Sequence, residues 1–228
     1  MTSIIPRSIR PLTLIILIIS IVLIYGYLKI LNIGDLTTML LTIFGGKPLP
    51  GIMLKSLFIM TFLLLQYINV DYISFCIDNM ECLSIRYESK KRWLKVMLTG
   101  SLVISAFFVV LFYVGILTLH WIWGDFEVLM INLDTFGVIS RIYLFCIIMV
   151  LLQIYLSLKL SKSNTFMIMI LLSIILSMIS HYQNSIVGIL PQYHDSLDNV
   201  VGNLVLVLVL ILLIKKASFK KELSFYES

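Results

Sequence analysis

The run VMLTGSLVISAFFVVLFYVGILTL, residues 96–119, carries no charged side chain. As an α-helix rising about 1.5 Å per residue, it is long enough to cross the roughly 30 Å of hydrocarbon in a bilayer. Its apolar residues are continuous rather than alternating, which argues against a half-exposed strand. Working outward, five more runs of this kind cover about residues 12–31, 53–75, 138–160, 165–185 and 200–214. They are too unbroken and too few for a closed barrel, the other structure that satisfies its own backbone in lipid. The sequence therefore predicts an all-α polytopic membrane bundle, a single transmembrane domain over 1–228 with about six spans.

Composition points the same way. The chain is 60% hydrophobic and 13% charged, with a mean hydropathy of +1.06. A soluble domain is about half apolar and about a quarter charged, so a water-soluble globule is excluded. Disorder is excluded too, because this much apolar surface does not stay in water. A length of 228 residues leaves no room for a fused catalytic domain of ordinary size. Arg7 and Arg10 precede the first run and no small-residue cleavage site follows it, so a retained signal-anchor is expected.

The net charge is +5, from 17 Lys and Arg against 12 Asp and Glu. On a soluble protein this balance would suggest nucleic acid. In a membrane chain it is topogenic, and no nucleic-acid partner is expected. When alternate connections are sorted to alternate sides, Lys29, Lys47, Lys55 and Arg141 fall on one side and the other thirteen of the 17 on the other. That asymmetry predicts a multi-pass cell-membrane protein with both termini cytoplasmic. Cys76, Cys82 and Cys146 are odd in number and lack CxxC spacing, so reduced structural thiols are expected rather than a disulfide framework or zinc site.

Three outer connections stand out. In the first, Leu36, Met39, Leu40, Ile43 and Phe44 recur at helical spacing after Asp35, and Gly45-Gly46 closes the run. This predicts an amphipathic helix on the outer surface of the bilayer. The second has Trp121 and Trp123 as interfacial anchors, followed by a short run placing Phe126, Leu129, Met130 and Leu133 on one face. The third, residues 181–194, has a short apolar centre broken by Gly188 and Pro191, which suits a re-entrant element or an ordinary outer loop equally.

The cytoplasmic connection between the second and third runs mixes charges of both signs with Leu83, Ile85, Tyr87 and Trp93. Arg86 sits among Asp78, Glu81 and Glu88, carboxylates its planar fork can pair with. By composition alone, this is a solvated positive-inside cluster with Trp93 anchoring the helix at the headgroups. The stretch Ile85-Arg86-Tyr87-Glu88-Ser89-Lys90-Lys91-Arg92-Trp93, placed where it is, resembles small membrane subunits of bacterial type 2 ABC exporters, of the bacteriocin or peptide export and immunity type. The motif likeness covers roughly residues 60 to 115, and elsewhere only the layout is similar. The short N-terminus with Pro6 and Pro11 departs from that family's amphipathic elbow helix.

The resemblance implies that Arg86, Tyr87, Lys90, Lys91, Arg92 and Trp93 form a coupling element docking on a separate ABC ATPase subunit. It also implies a second permease subunit, identical or not, beside membrane lipids. ATP and Mg would be bound by the ATPase partner, since this chain has no GxxxxGK[ST] phosphate cradle and carries no cofactor of its own.

Polar residues inside the spans are few. The second carries Gln66 and Asn69, and the fifth a stripe of Ser173, Ser177, Ser180 and His181. Such groups face a bundle interior, as interhelical hydrogen bonds or as a weakly polar pathway suited to an amphipathic peptide or lipid-like cargo. A membrane-embedded peptidase is the competing enzymatic reading. It needs a Cys/His pair, but Cys76 and Cys82 fall at the cytoplasmic end and His120, His181 and His194 toward the outer side. No HExxH motif and no catalytic or metal set is expected, although His181, His194 and Asp195 share one outer segment. A non-transporting immunity or sensor protein is the remaining alternative.

Overall fold

The computed structural model describes residues 11–31, 33, 36–44, 52–80, 82–83, 90–123, 133–179 and 197–226. Seven helices make up these residues: α1 (Pro11–Ile30), α2 (Leu36–Ile43), α3 (Ile52–Asp78), α4 (Lys90–Trp123), α5 (Leu133–Lys159), α6 (Lys162–Ile179) and α7 (Leu197–Tyr226). No strand occurs among them. Four stretches are long and apolar enough to cross a membrane: Ile59–Asp78, Lys91–Trp123, Phe136–Lys159 and Val201–Ser218. The apolar parts of α1 and α6, Ile15–Ile30 and Lys162–Leu176, are shorter.

α3, α4 and α7 follow their apolar runs and overrun them at both ends. The longest, α4, starts at Lys90 and has 34 residues, so it extends about 50 Å, well beyond the hydrocarbon thickness. Its first turns thus contain Lys90, Lys91, Arg92, Trp93 and Lys95, which on hydropathy alone fall in the connection before the third apolar run. Lys and Arg are good helix formers, so nothing local stops the helix at the edge of its apolar run.

α3 and α5 form the centre. α3 packs on α4, α5, α6 and α2, and α5 packs on α7, α4, α3 and α6. In each of α3 and α5, 56% of the spanning window is buried, against 11% in α7. The outward faces are almost purely apolar: Ile18, Ile19 and Leu23 on α1, Val103, Phe107 and Val110 on α4, and Leu204, Leu208 and Leu212 on α7 are all exposed. Water would not tolerate so much contiguous apolar surface, whereas lipid tails solvate it.

The direction of each central helix follows from side-chain contacts. Trp93 Nε1 donates to the Cys76 carbonyl at 2.8 Å, and Lys162 Nζ lies 2.6 Å from Asp71 Oδ1. These contacts gather the end of α3, the start of α4 and the α5–α6 turn at one end of the bundle. At the opposite end, Tyr25 of α1 stacks on Trp123 and sets its hydroxyl 3.5 Å from His120 Nδ1. The cations Lys91, Arg92, Lys95, Lys159 and Lys162 are all exposed at the first end, which we call the basic end. Cys76 belongs to that end and His120 to the other, so this pair lies too far apart for a catalytic dyad.

The amphipathic helix expected in the first outer connection exists as α2, and its apolar face packs against the bundle. Leu36, Met39, Leu40, Ile43 and Phe44 are all buried, and the Phe44 ring meets Phe112 of α4 edge-on at 6.1 Å. The chain can turn inward here because α1 ends in a wrap, with Ile33 N–H donating to the Leu28 carbonyl five residues back. The apolar face that the spacing predicted is real, and its partner is protein. Gly45-Gly46, the run from Phe126 to Met130 and the 181–194 segment lie outside the described residues.

Candidate functional site

Two regions bring polar chemistry together. The first is the basic end of the α3–α4 hairpin. Trp93 is 2% exposed, and its indole N–H is bonded to the carbonyl of Cys76. One turn deeper, Tyr72 Oη donates to the Val96 carbonyl at 3.1 Å. The Tyr72 ring lies against Gly100 so closely that a Cβ there would sit 2.0 Å from its hydroxyl oxygen, so only glycine leaves that slot open. These contacts make α3 and α4 one rigid antiparallel unit.

The structure places several of the residues expected in the coupling element. Trp93 is not displayed to a partner or to headgroups; it faces α3 because its large apolar surface and N–H are both satisfied there. Lys91 and Arg92 are exposed on the first turn of α4, and Lys90 begins that helix. Arg86 and Tyr87 lie outside the described residues. Across from the hairpin, Lys162 pairs with Asp71 in a half-exposed ion pair, and Lys159 donates to the Tyr155 hydroxyl while its ammonium sits 4.5 Å above that ring. Such exposed pairs contribute about 0.2–1 kcal/mol, enough to orient side chains but not to hold helices together.

The second region, which we call the polar seam, is the set of fully buried polar side chains on α3, α4, α5 and α6. Gln66 and Asn69 on α3, Ser101 and Ser105 on α4, Gln153 on α5, and Thr165 and Ser173 on α6 are all at 0% exposure. Counting back from the Tyr72–Val96 contact at about 1.5 Å per residue, Asn69 and Gln66 fall level with Ser101 and Ser105. Gln153 Nε2 donates to the Gln66 backbone carbonyl at 2.9 Å, tying α5 to α3. Asn69 Nδ2 donates to the Leu65 carbonyl at 3.1 Å, while Ser105 and Ser173 bond back to Ser101 and Met169 four residues earlier in their own helices.

What the seam lacks is as informative. Both amide atoms of Gln66, Asn69 Oδ1, Gln153 Oε1, Ser101 Oγ and Thr165 Oγ1 are buried without a hydrogen-bond partner. Each such group costs about 1–3 kcal/mol relative to a bonded one, and packed interiors keep few of them.

The sequence reading expected Gln66, Asn69, Ser173, Ser177 and His181 as interior polar groups. Gln66, Asn69 and Ser173 are fully buried. The Ser177 side chain and His181 lie outside the described residues. Gln153, Ser101, Ser105 and Thr165 were missed, although Gln153 is the one amide within the apolar run of α5 and Ser101/Ser105 are spaced i, i+4. No protein-family model, curated protein or solved structure matches this chain.

Proposed function

We propose that this chain is the permease subunit of an ABC-type exporter of the bacterial type 2 class. In this reading it has about six spans and both termini in the cytoplasm of a bacterial cell. It works with a second permease subunit and with ATPase subunits that bind ATP and Mg. The observation that carries the reading is the rigid α3–α4 hairpin, which ends in exposed Lys91, Arg92 and Lys95 and is locked by Trp93 and Tyr72. A partner that closes on ATP can move a buried site only through an element stiff enough to transmit displacement, and interlocked helices are such an element. The cationic tip supplies complementarity to an acidic partner surface, which favours encounter and sets orientation.

Within this proposal Arg86, Tyr87 and Lys90–Arg92 contact the ATPase, while Trp93 positions them from beneath. The cargo is an amphipathic peptide or lipid-like molecule, consistent with the almost wholly apolar outer faces and the absence of charge from the seam. The test is affinity purification of the tagged chain from its native membrane, followed by assay for a co-purifying P-loop ATPase. The expected result is ATPase in the purified complex and its loss in Lys91→Glu/Lys95→Glu. A chain that purifies alone, with no nucleotide-hydrolysing companion, refutes the proposal.

A further inference from the structure

Every residue from Lys159 to Asn164, the turn joining α5 to α6, is exposed. It reads Lys-Leu-Ser-Lys-Ser-Asn, so it carries two ammonium groups and no carboxylate of its own. Two contacts fix its height in the bundle. Lys162 Nζ meets Asp71 Oδ1 at 2.6 Å, and Tyr72, the next residue of α3, donates to the Val96 carbonyl of α4. The turn is therefore close to the level of Asp71 and Val96, while α3 runs on seven residues to Asp78 and α4 begins six residues before Val96. At about 1.5 Å per residue, the α3–α4 tip stands about 10 Å farther out than the turn.

The side chains about one turn deeper mark this height as the edge of the hydrocarbon. Tyr67 on α3 is 49% exposed, Tyr155 on α5 lies beneath the Lys159 ammonium, and the exposed residues of α6 are Met167, Ile168 and Leu171. Partly exposed tyrosines next to an apolar face are the pattern of a bilayer interface. Headgroup phosphates of the adjacent leaflet thus lie beside the turn, and acyl chains beside the outer face of α6.

Charge balance selects among lipids. Lys162 shares a part-exposed pair with Asp71, whereas Lys159 has only the neutral Tyr155 hydroxyl and ring. Two ammonium groups set against one carboxylate leave a formal surplus of +1. Each ammonium has three donors, so both retain donors for a further acceptor. A phosphodiester of charge −1 neutralises the surplus and accepts from them through charge-assisted bonds. A zwitterionic headgroup brings its own cation and leaves the surplus in place.

We propose that the α5–α6 turn binds the phosphodiester of an anionic phospholipid through Lys159 and Lys162, with the acyl chains along Met167, Ile168 and Leu171. Basic groups gathered between helices at a membrane surface are the usual means of holding such headgroups. The inference does not rest on the exporter reading, because these lysines are separate from Lys91 and Arg92 at the tip.

The test purifies the full-length chain in mixed micelles of phosphatidylcholine with a minority of phosphatidylglycerol, then quantifies the retained lipid by mass spectrometry. The expected result is phosphatidylglycerol enriched over its share of the micelle, with enrichment reduced at least about twofold in Lys159→Gln/Lys162→Gln. Asp71→Asn removes the one carboxylate paired with the turn, so it should raise enrichment, by up to about fivefold for one added unit of positive charge. Lys91→Gln/Arg92→Gln should leave enrichment unchanged. Equal enrichment in wild type and the turn double variant, or a fall with Asp71→Asn, overturns the site. Displacement of the lipid by inorganic phosphate beyond that by chloride at matched ionic strength also overturns it, assigning the surface to a free anion. Loss of a co-purifying ATPase from the turn variant with its lipid intact does the same, assigning the surface to a protein.

Discussion

Gly100→Ala is the sharpest probe of the α3–α4 hairpin. The added Cβ would lie 2.0 Å from Tyr72 Oη, 2.4 Å from Cζ and 2.9 Å from Cε1. All three distances are far inside van der Waals contact, so the ring must move. Tyr72 is 4% exposed, and a rigid ring with two side-chain torsions has little room for retreat. Forcing a methyl into such packing costs about 1–3 kcal/mol. The Tyr72–Val96 hydrogen bond, 3.1 Å long, is lost with the ring's position, adding about 0.5–1.5 kcal/mol. Against this, Ala is favoured over Gly in a helix by about 1 kcal/mol. The balance is a net destabilisation of about 0.5–3.5 kcal/mol. Equilibrium unfolding of the purified chain in mixed micelles measures it, and a cycle with Tyr72→Ala isolates the cause. In the Tyr72→Ala background the slot is empty, so Gly100→Ala should be neutral or stabilising, with a coupling of at least about 1 kcal/mol. An equal cost in both backgrounds, or no cost in the first, would refute the interlocked hairpin.

The other predictions concern the hairpin, the polar seam and the α1–α4 contact. Trp93→Ala should destabilise the chain by about 3–5 kcal/mol, and Trp93→Phe by distinctly less, since most packing survives and only the bond to the Cys76 carbonyl is lost; the same unfolding assay ranks them. Gln66→Leu should stabilise the fold by about 1–3 kcal/mol, because both side-chain polar atoms are buried without partners and no hydrogen bond of theirs is sacrificed; a lower melting temperature would contradict this. Lys162→Ala should cost about 0.2–1 kcal/mol, and the difference from wild type should shrink in molar salt, as titration of the unfolding midpoint against ionic strength would show. Gly115→Ala should be felt less than Gly100→Ala, since its Cβ would meet Ile21 Cγ2 at 3.0 Å, a flexible neighbour able to yield; comparing the two unfolding midpoints decides it.

The division between what the chain's letters and its packing decide can be seen residue by residue. All-helical character, the positions of the apolar runs and the segregation of Lys91, Arg92, Lys95, Lys159 and Lys162 toward one end follow from the sequence by itself. Length, hydropathy and charge are local properties, and a bilayer-thick apolar run leaves the backbone one economical conformation. The amphipathic pattern of Leu36 to Phe44 was equally legible, yet the pattern says only that one face leaves water, not whether lipid or protein receives it. Helices that are apolar all round give no signal of which side turns inward. Only the tertiary structure therefore decided that Trp93 is a core residue, that the apolar face of α2 meets protein and that Gln153 meets Gln66. It was decisive because burial and hydrogen-bond partnership depend on how each helix is rotated against its neighbours, a relation between distant segments that no single run contains.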